Sequence, residues 1–311
     1  MKSLVSATKQ YGMTDEWMTQ ADKKGRCVLH LASIWGYQDV VSFILEEIIE
    51  AVEDEDKKKQ YLNAKDNKGR TCLFHAIGEE RNQVARVLIQ KGVDLESATN
   101  DHHVEPGSTP LMASAEKNNI EGFQLLLKSG ADILATRKDG ADATYIAARY
   151  GHLKILEHIA EKGKMEGVVK RPTFRGRTAL MTAALHGHVN VCKFLYQNGA
   201  TLDDQDDDKF TALIYASKQD YSELVKWLVV IGAKVTFRDN TGKTALKYAE
   251  ANGNEETVKF IKMSSSSSGN SSINPMSVVA AKNVAKKQGT KKNENISKTV
   301  PPKEPQKKIS R

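Results

Sequence analysis

The sequence lacks the run of about 18 apolar residues that a membrane-spanning helix requires, because charged residues interrupt its longest apolar segments. The N-terminal stretch MKSLVSATKQYGMTDEW has no apolar core of the kind found in signal peptides. Cysteine is scarce, and Cys27, Cys72 and Cys192 are odd in number and far apart. This spacing argues against a disulfide framework and favours a reducing compartment. We therefore expect neither a membrane-embedded nor a disulfide-stabilised secreted protein.

Aromatic residues are also few, at 6% of the chain, and four of the seven prolines lie beyond residue 274. Residues 263–311 hold nine Lys, one Arg and two Glu, a net charge of +8, so the total of +7 leaves −1 for residues 1–262. The body is close to neutral, which does not support nucleic-acid binding by the body. With its SSSSSGNSS tract, segment 263–311 is expected to be a disordered basic tail.

What the sequence does contain is an internal repeat. The fragments GSTPLMASAE at 107, GRTALMTAAL at 176, KFTALIYASK at 209 and GKTALKYAEA at 242 align without gaps. Looser copies begin at 25, 69 and 140, which makes seven in all. Their successive spacings are 44, 38, 33, 36, 33 and 33 residues. This pattern indicates one supersecondary unit that recurs, with insertions in its loops.

Each unit has the pattern of two short helices. In residues 178–200, Leu180 and Ala184 have helical spacing, and after an HGH turn a second apolar face includes Leu195. Gly199 is placed where it would end that second helix. One such unit cannot bury its apolar face alone, whereas stacked units can. The sequence therefore predicts an all-α solenoid.

These motifs resemble the ankyrin repeat, whose signature is Gly-x-Thr-Pro-Leu-His-x-Ala-Ala, followed by Gly-His, Leu-Leu and Gly-Ala-Asp. The resemblance covers residues 22–262. It implies an ankyrin-repeat solenoid of stacked helix–turn–helix units joined by hairpin loops, called fingers below. Asp142 replaces the threonine of the fourth copy and Lys209 the glycine of the sixth, so altered hairpin turns are expected there.

Seven repeats are expected between an N-terminal capping segment, 1–21, and the tail, 263–311. Their approximate bounds are 22–65, 66–103, 104–136, 137–172, 173–205, 206–238 and 239–262. In the first copy, an apolar stripe continues to Val52 and predicts an outer helix a turn or two longer than the others, with EDEDKKK as its solvated end. Insertions at 100–108 and 164–172 are expected to lie in loops.

Two short motifs suggest chemistry but are incomplete. Residues 242–244 spell the Gly-Lys-Thr that ends a phosphate loop, yet Phe237 stands where that motif needs its first glycine. The DDQDDD at 203–208 has the alternating acids of a calcium loop, but Lys209 and Tyr215 replace the required glycine and glutamate. No hydrolase or kinase motif is present. We expect a non-enzymatic protein without cofactor or metal, and nucleotide binding at Gly242–Thr244 is a remote alternative.

The ankyrin resemblance implies that partners bind a concave face, formed by the finger tips and the C-terminal ends of the inner helices. Large apolar, aromatic and basic side chains in those columns are the candidate contacts, because the stack itself does not need them there. The candidates for protein binding are Ile34, Trp35, Lys68, Arg70, Arg149, Tyr150, Phe174, Leu185, His186 and Phe210.

The tail is a second candidate element. Its cations stand among small, polar and proline residues, which suits electrostatic contact with an acidic surface such as a cytoskeletal polymer. The tail candidates are Lys286, Lys287, Lys291, Lys292, Lys307 and Lys308. We expect a monomeric adaptor in the cytoplasm, associated with the cytoskeleton, that binds a protein partner. The alternative is a nuclear regulator of transcription whose tail acts in import or nucleic-acid contact.

Overall fold

The structure, a computed structural model, describes residues 19–49, 52–100 and 106–266. Within these ranges the chain forms helices joined by turns and loops, and it forms no strand there. In chain order the helices are α1 Val28–Trp35, α2 Gln38–Phe43, α3 Glu55–Leu62, α4 Cys72–Gly78, α5 Asn82–Gln90, α6 Pro110–Lys117, α7 Ile120–Lys128, α8 Ala143–Tyr150, α9 Leu153–Glu161, α10 Met165–Val168, α11 Ala179–Leu185, α12 Val189–Gln197, α13 Ala212–Lys218, α14 Ser222–Val230, α15 Ala245–Ala251 and α16 Glu255–Ser266.

These helices form two layers. The inner helices α1, α4, α6, α8, α11, α13 and α15 each follow a finger and pack on the next inner helix. The outer helices are α2, α5, α7, α9, α12, α14 and α16, and each packs on its inner partner or on a neighbouring outer helix. The core lies between the layers, where Leu73, Phe123, Leu156 and Leu228 are fully buried. The predicted all-α stack of helix–turn–helix units is confirmed.

Most inner helices begin after a residue whose side chain caps the helix N-terminus. In α11, the Thr178 hydroxyl accepts a hydrogen bond from the backbone N–H three residues on, at 3.3 Å. Thr71, Thr109, Thr211 and Thr244 do the same in their repeats. In α8 the Asp142 carboxylate replaces the hydroxyl and accepts from Tyr145 N at 2.9 Å. Cys27 holds this position in α1, with its Sγ 3.0 Å from His30 Nδ1.

The finger turns other than the third share one geometry, including the fourth and the sixth, where altered turns were expected. Most of their tips are glycines with positive φ, and Lys209 takes the same conformation with φ 63°. The Lys209 N–H donates to the Asp206 carbonyl at 2.8 Å, as Gly176 N–H donates to Thr173 at 2.9 Å. Lys209 therefore forms the same turn as glycine does in the other fingers. Its left-handed backbone conformation is strained, because lysine has a side chain.

Adjacent fingers are joined to one another through their backbones. For example, Phe174 N–H donates to the Asp139 carbonyl at 2.9 Å, and Asp207 N–H donates to the Arg175 carbonyl at 3.1 Å. The fingers span 22–26, 66–70, 137–141, 173–177, 206–210 and 239–243, and the third finger is described only at its two ends, 99–100 and 106–108. This ladder fixes the fingers side by side, so side chains at their tips share one edge of the stack.

The outer helix of the first repeat is about one turn longer than the nine-residue outer helices of the following repeats, as predicted, because α2 continues as a π-helical segment, Ile44–Ile49. Residues 53–59, expected to be its solvated end, are not part of it. They begin the separate helix α3, because the Asp54 carboxylate accepts the backbone N–H of Asp56 at 2.9 Å and caps it. Tyr61 and Leu62, at the end of α3, are buried, and their burial stabilises the packing of this helix on the stack.

Two further segments extend the predicted helices. The 164–172 insertion, expected to be a loop, contains α10, because Met165 and Val168 are buried against the stack. At the other end, α16 continues four residues past 262, where Ser264 Oγ donates to the Phe260 carbonyl at 2.9 Å. Residues 1–18 of the capping segment and the tail from residue 267, with all its candidate lysines, lie outside the described residues. No helix of the described ranges has the length and apolar character to span a membrane.

Candidate functional site

One groove on the finger side of the stack brings together four of the ten predicted binding residues. Arg149, Phe174, Leu185 and His186 all line it, and its volume is about 620 Å³. The fingers 137–141 and 173–177 and the inner helices α8 and α11 build this central groove. Since adjacent fingers and helices are held in register, residues that are far apart in sequence meet in it.

The central groove is lined in part by an exposed aromatic ring. Phe174 lies at a finger tip with 76% of its surface exposed, while its backbone N–H is fixed by the Asp139 carbonyl. Leu185 is half-buried and His186 is exposed at the end of α11. An exposed ring held on a fixed backbone offers apolar contact area with little further ordering to be done on binding.

The groove is also lined by residues outside the ten candidates. Asp139, Arg175 and Arg177 lie in the finger columns that the ankyrin resemblance assigns to partner contact, whereas Arg137 and Tyr145 were missed. Arg137 is 3% exposed, and its Nη2 donates to Asp139 Oδ2 at 2.6 Å. A signal for Arg137 was present in the sequence. The same column holds Asp66, Asp206 and Asp239 in other fingers, so an arginine there is a departure from the pattern.

Two titratable side chains of the groove, Asp139 and His186, have shifted pKa values. Burial would raise the pKa of Asp139, but its hydrogen bonds with the Arg137 guanidinium lower the pKa below the ordinary value. Burial lowers the pKa of His186, and the positive charges of Arg149, His188 and Arg177 lower it further. The Arg177 guanidinium is fixed by Tyr215, because Arg177 Nη2 donates to Tyr215 Oη at 2.7 Å. Arg177 is also ion-paired with buried Asp206, at 3.7 Å from Nε to Oδ2, and the lowered pKa of His186 favours its neutral imidazole at pH 7.

Four predicted residues lie nearer the N-terminal end of the stack. Trp35, at the end of α1, is 64% exposed. Ile34 is half-buried, and its carbonyl accepts a hydrogen bond from Arg81 Nε at 3.2 Å. Lys68 is exposed at a finger tip, and half-buried Arg70 lines a smaller depression of about 160 Å³.

The remaining two predicted binding residues, Tyr150 and Phe210, differ in how much of the side chain is exposed. Tyr150 is 41% exposed and stacks on His152, with ring centroids 6.0 Å apart. Phe210 is half-buried rather than exposed, because its ring stacks on Tyr215 at 4.8 Å and Lys218 Nζ lies 4.8 Å from its centroid. Phe210 thus offers only part of its ring to a partner.

The incomplete phosphate-loop motif is a finger turn. Gly242 N–H donates to the Asp239 carbonyl at 2.9 Å, and Lys243 N–H donates to Asp239 Oδ1 at 2.9 Å. Thr244 Oγ1 accepts from Lys247 N at 3.3 Å and caps α15. These bonds occupy the groups that would have to cradle a phosphate.

The incomplete calcium-loop motif at 203–208 also contributes to a finger turn. Asp206 is buried, and its Oδ1 accepts the N–H groups of Asp208 at 3.1 Å and Phe210 at 2.9 Å. Its second carboxylate oxygen accepts from the Tyr215 hydroxyl. Across the described ranges, no three His, Cys, Asp or Glu side chains converge in a way that could hold a metal ion.

Comparison with known proteins decides the family. A family model described as ankyrin repeats (3 copies) matches residues 48–137, 134–206 and 198–273, which is well over half of the chain. The chain belongs to the ankyrin repeat family. Ankyrin repeats form protein–protein interaction domains, so binding of a protein partner is the general role of this stack.

Several curated ankyrin relatives are similar over about half of the chain. A mouse B-cell lymphoma 3 protein homolog is 23% identical over 147 residues, which is 47% of this chain and 30% of the relative. Mouse ankyrin repeat domain-containing protein 63 is 29% identical over 135 residues, 42% of this chain and 33% of the relative. The chain thus spans about a third of the length of these two relatives.

Solved ankyrin structures share the fold. The ankyrin repeat domain of Bcl-3, described as a unique member of the IkappaB protein family, superposes with a TM-score of 0.62 at 22% sequence identity. The match covers 77% of this chain and all of that domain. At this identity the likeness supports the repeat architecture and leaves the partner to be argued from the residues.

Proposed function

We propose that this ankyrin chain is a non-enzymatic adaptor that holds a protein partner on its concave face, chiefly in the central groove. The observation that carries the proposal is the groove itself, which gathers Arg149, Phe174, Leu185 and His186 from two fingers and two inner helices. Aromatic and arginine side chains dominate the energetics of protein interfaces. Phe174, Tyr150 and Trp35 are exposed at columns that the packing of the stack does not require.

The test is capture of partners by full-length protein carrying Tyr150→Ala with Phe174→Ala. We expect partner recovery in a proximity-labelling or pull-down experiment to fall about tenfold or more, because two interface anchors are lost. Val230→Ala is the matched control, since Val230 is 42% exposed but lies at the end of the outer helix α14. Equal recovery by the double variant and the control, with helicity and melting intact, would contradict the concave-face proposal.

The tail is proposed as a second contact, with an acidic surface such as a cytoskeletal polymer, in the cytoplasm. Its support is the net charge of +8 on residues 263–311 against −1 on the rest of the chain. Attraction between opposite charges of this kind weakens as salt is added. A tail contact and a groove contact on one chain would reinforce each other through effective concentration.

The alternative is a nuclear regulator. Its support is a human relative named BCL-6 corepressor-like protein 1, which is 27% identical over 145 residues, 46% of this chain and 7% of the relative. Locating fluorescent fusions of the full-length chain and of a chain with its tail lysines replaced separates the two candidates. Exclusion of the full-length fusion from nuclei would remove the nuclear alternative, and tail-dependent nuclear entry would favour it.

A further inference from the structure

The sixth and seventh repeats carry a cluster of three aromatic rings next to the central groove. Tyr215 and Tyr248 hold equivalent positions, four residues after the capping threonines of α13 and α15. The Phe210 ring stacks on Tyr215 with centroids 4.8 Å apart, and its centroid lies 6.1 Å from that of Tyr248. The guanidinium carbon of Arg177, which lines the central groove, is 5.1 Å from the Tyr215 centroid. The cluster therefore continues the finger side of the stack beyond that groove.

Two lysines lie over the rings of this cluster. Lys218 Nζ is 4.8 Å from the centroid of Phe210 and 5.8 Å from that of Tyr248. Lys243 Nζ is 5.5 Å from the centroid of Tyr248. An aromatic face attracts a cation, and a lysine that is already placed in this way loses less freedom when it binds a ligand. These four residues, Phe210, Lys218, Lys243 and Tyr248, are called the lysine–aromatic patch below.

Neither lysine of the patch uses its charge within the part of the chain that the structure describes. Lys218 and Lys243 are both exposed. Their side chains contact the rings but form no ion pair and no side-chain hydrogen bond with a described residue. An ammonium group has three N–H donors and no acceptor, so both side chains are available to an anionic group of a ligand.

The aspartates of the same two fingers are engaged by other groups. Asp206 accepts a hydrogen bond from the Tyr215 hydroxyl, and it is ion-paired with Arg177 at 3.7 Å. Asp239 accepts from the Tyr248 hydroxyl through one carboxylate oxygen and from three further donors of its own finger through the other. The two buried carboxylates thus stabilise the fingers and the tyrosines and leave the patch lysines without an acidic partner.

The patch suits a short acidic peptide better than a nucleic acid. Bases of a single strand stack on open aromatic faces, but Lys218 already lies over Phe210, and both patch lysines lie over Tyr248. The finger that ends at Phe210 also carries Asp207 and Asp208, both exposed. They would repel a backbone that has a charge at every nucleotide, whereas a peptide can confine its acids to the patch.

We infer that the lysine–aromatic patch binds a short acidic segment of a protein partner, whose carboxylates accept hydrogen bonds from Lys218 and Lys243. An apolar side chain next to those acids would contact the exposed part of Phe210. This inference rests on the proposed function, because it names the chemistry of a partner bound on the same side of the stack. It extends the contact surface from the fourth and fifth repeats to the sixth and seventh.

The experiment measures binding of labelled peptides of about 12 residues, a length suited to one extended segment, by fluorescence anisotropy. Every protein is the full-length chain with its six candidate tail lysines replaced by glutamine, so that the tail contributes little. One peptide has Glu beside Leu at its centre, a second has Gln for each Glu, and a third probe is a single-stranded RNA. The test variant adds Lys218→Gln and Lys243→Gln. The control adds Lys154→Gln and Lys259→Gln, which removes the same charge from exposed positions of α9 and α16.

We expect the test variant to bind the Glu peptide about tenfold more weakly than the control does, because two charge-assisted contacts are lost. Lys218→Arg with Lys243→Arg should keep most of the binding, since the charges remain. Equal binding of the Glu peptide by test and control variants would overturn the inference. So would equal loss in the Arg and Gln pairs, which would assign the effect to packing, or lysine-dependent RNA binding as tight as that of the peptide.

A second readout locates the contact directly. A carbodiimide couples a carboxylate to an amine that it touches, and mass spectrometry then identifies the lysine that was coupled to the Glu peptide. We expect Lys218 or Lys243 among the coupled residues, and coupling confined to other lysines would contradict the inference. Self-association that depends on the two lysines would assign the patch to a second copy instead. Should partner capture still depend on Phe174 in these cases, the proposed function would stand while the acidic contact would fall.

Discussion

Lys209 occupies a turn position that glycine fills in the other fingers, and its φ of 63° is costly for a residue with a side chain. We predict that Lys209→Gly raises the free energy of unfolding by about 1 kcal/mol, since the left-handed conformation carries no such cost in glycine. Urea denaturation followed by circular dichroism measures the change. Gly176→Ala should do the opposite, because its added Cβ would lie 3.1 Å from Asp206 Cα. A less stable Lys209→Gly variant would contradict the strain argument.

Asp142 introduces an ionisable N-cap where other repeats use threonine. Burial raises its pKa to about 6 from 3.8, against the opposing effects of the Tyr145 N–H and the Arg171 charge. The folded state therefore holds the proton more tightly than the unfolded chain, and stability is lost as the pH rises from about 4 through 6. Above that window the penalty is fully present, and below it the penalty disappears.

We accordingly predict that Asp142→Thr stabilises the protein at pH 7 by about 1–3 kcal/mol, because one pKa unit corresponds to about 1.4 kcal/mol. The gain should shrink as the pH falls to 4, since the native carboxyl is then protonated. Denaturant unfolding at a series of pH values measures this. A gain of equal size at pH 4 and pH 7 would show that the carboxylate charge is not its source.

At the scale of elements, one side-chain column ties the third, fourth and fifth repeats each to the one before it. His188 Nε2–H donates to the Arg149 carbonyl at 2.9 Å, and His152 Nε2–H donates to the Glu116 carbonyl at 2.9 Å. Asn119 uses its amide in the same way, donating to the Ile77 carbonyl at 3.0 Å. Each bond satisfies a carbonyl at the end of the preceding inner helix, where no helical partner remains.

We predict that His188→Ala lowers the free energy of unfolding by about 1–2 kcal/mol, because it leaves the Arg149 carbonyl without its donor. His188→Asn should recover part of this loss, since an amide serves as the donor at Asn119. Hydrogen exchange at the interface of α8 and α11 would report the weakened coupling locally. If the Ala and Asn variants were equally unstable, ring packing and not the hydrogen bond would be the source.

The elements that could be predicted from the sequence are those set by the repeat. The column of N-caps and the column of turn residues recur at fixed spacing, so the inner and outer helices followed from counting. The start of α3 did not follow, because its cap depends on Asp54 alone and no other copy has an equivalent. The groove was predicted in part: Phe174 stood out as an apolar residue in a polar column. Arg137 was overlooked, although it stands in a column that holds aspartate in other fingers, and its pairing with Asp139 was visible only in the structure.

At the scale of the whole molecule, the positive charge is concentrated in the C-terminal tail. The body sums to −1 and the tail to +8, while the body still concentrates arginines in one groove. The tail is therefore the element whose proposed contact depends on net charge, whereas the proposed groove contact depends on exposed side chains such as Phe174.

We predict that replacing Lys286, Lys287, Lys291, Lys292, Lys307 and Lys308 by glutamine in the full-length chain weakens its retention on a polyglutamate-coated surface by about 10- to 100-fold at low salt. Capture that depends on Phe174 should not change, because the groove is untouched. Retention of the wild-type chain should also fall steeply with salt, and that of the variant should not. Retention unaffected by the six substitutions would leave the tail without the proposed role.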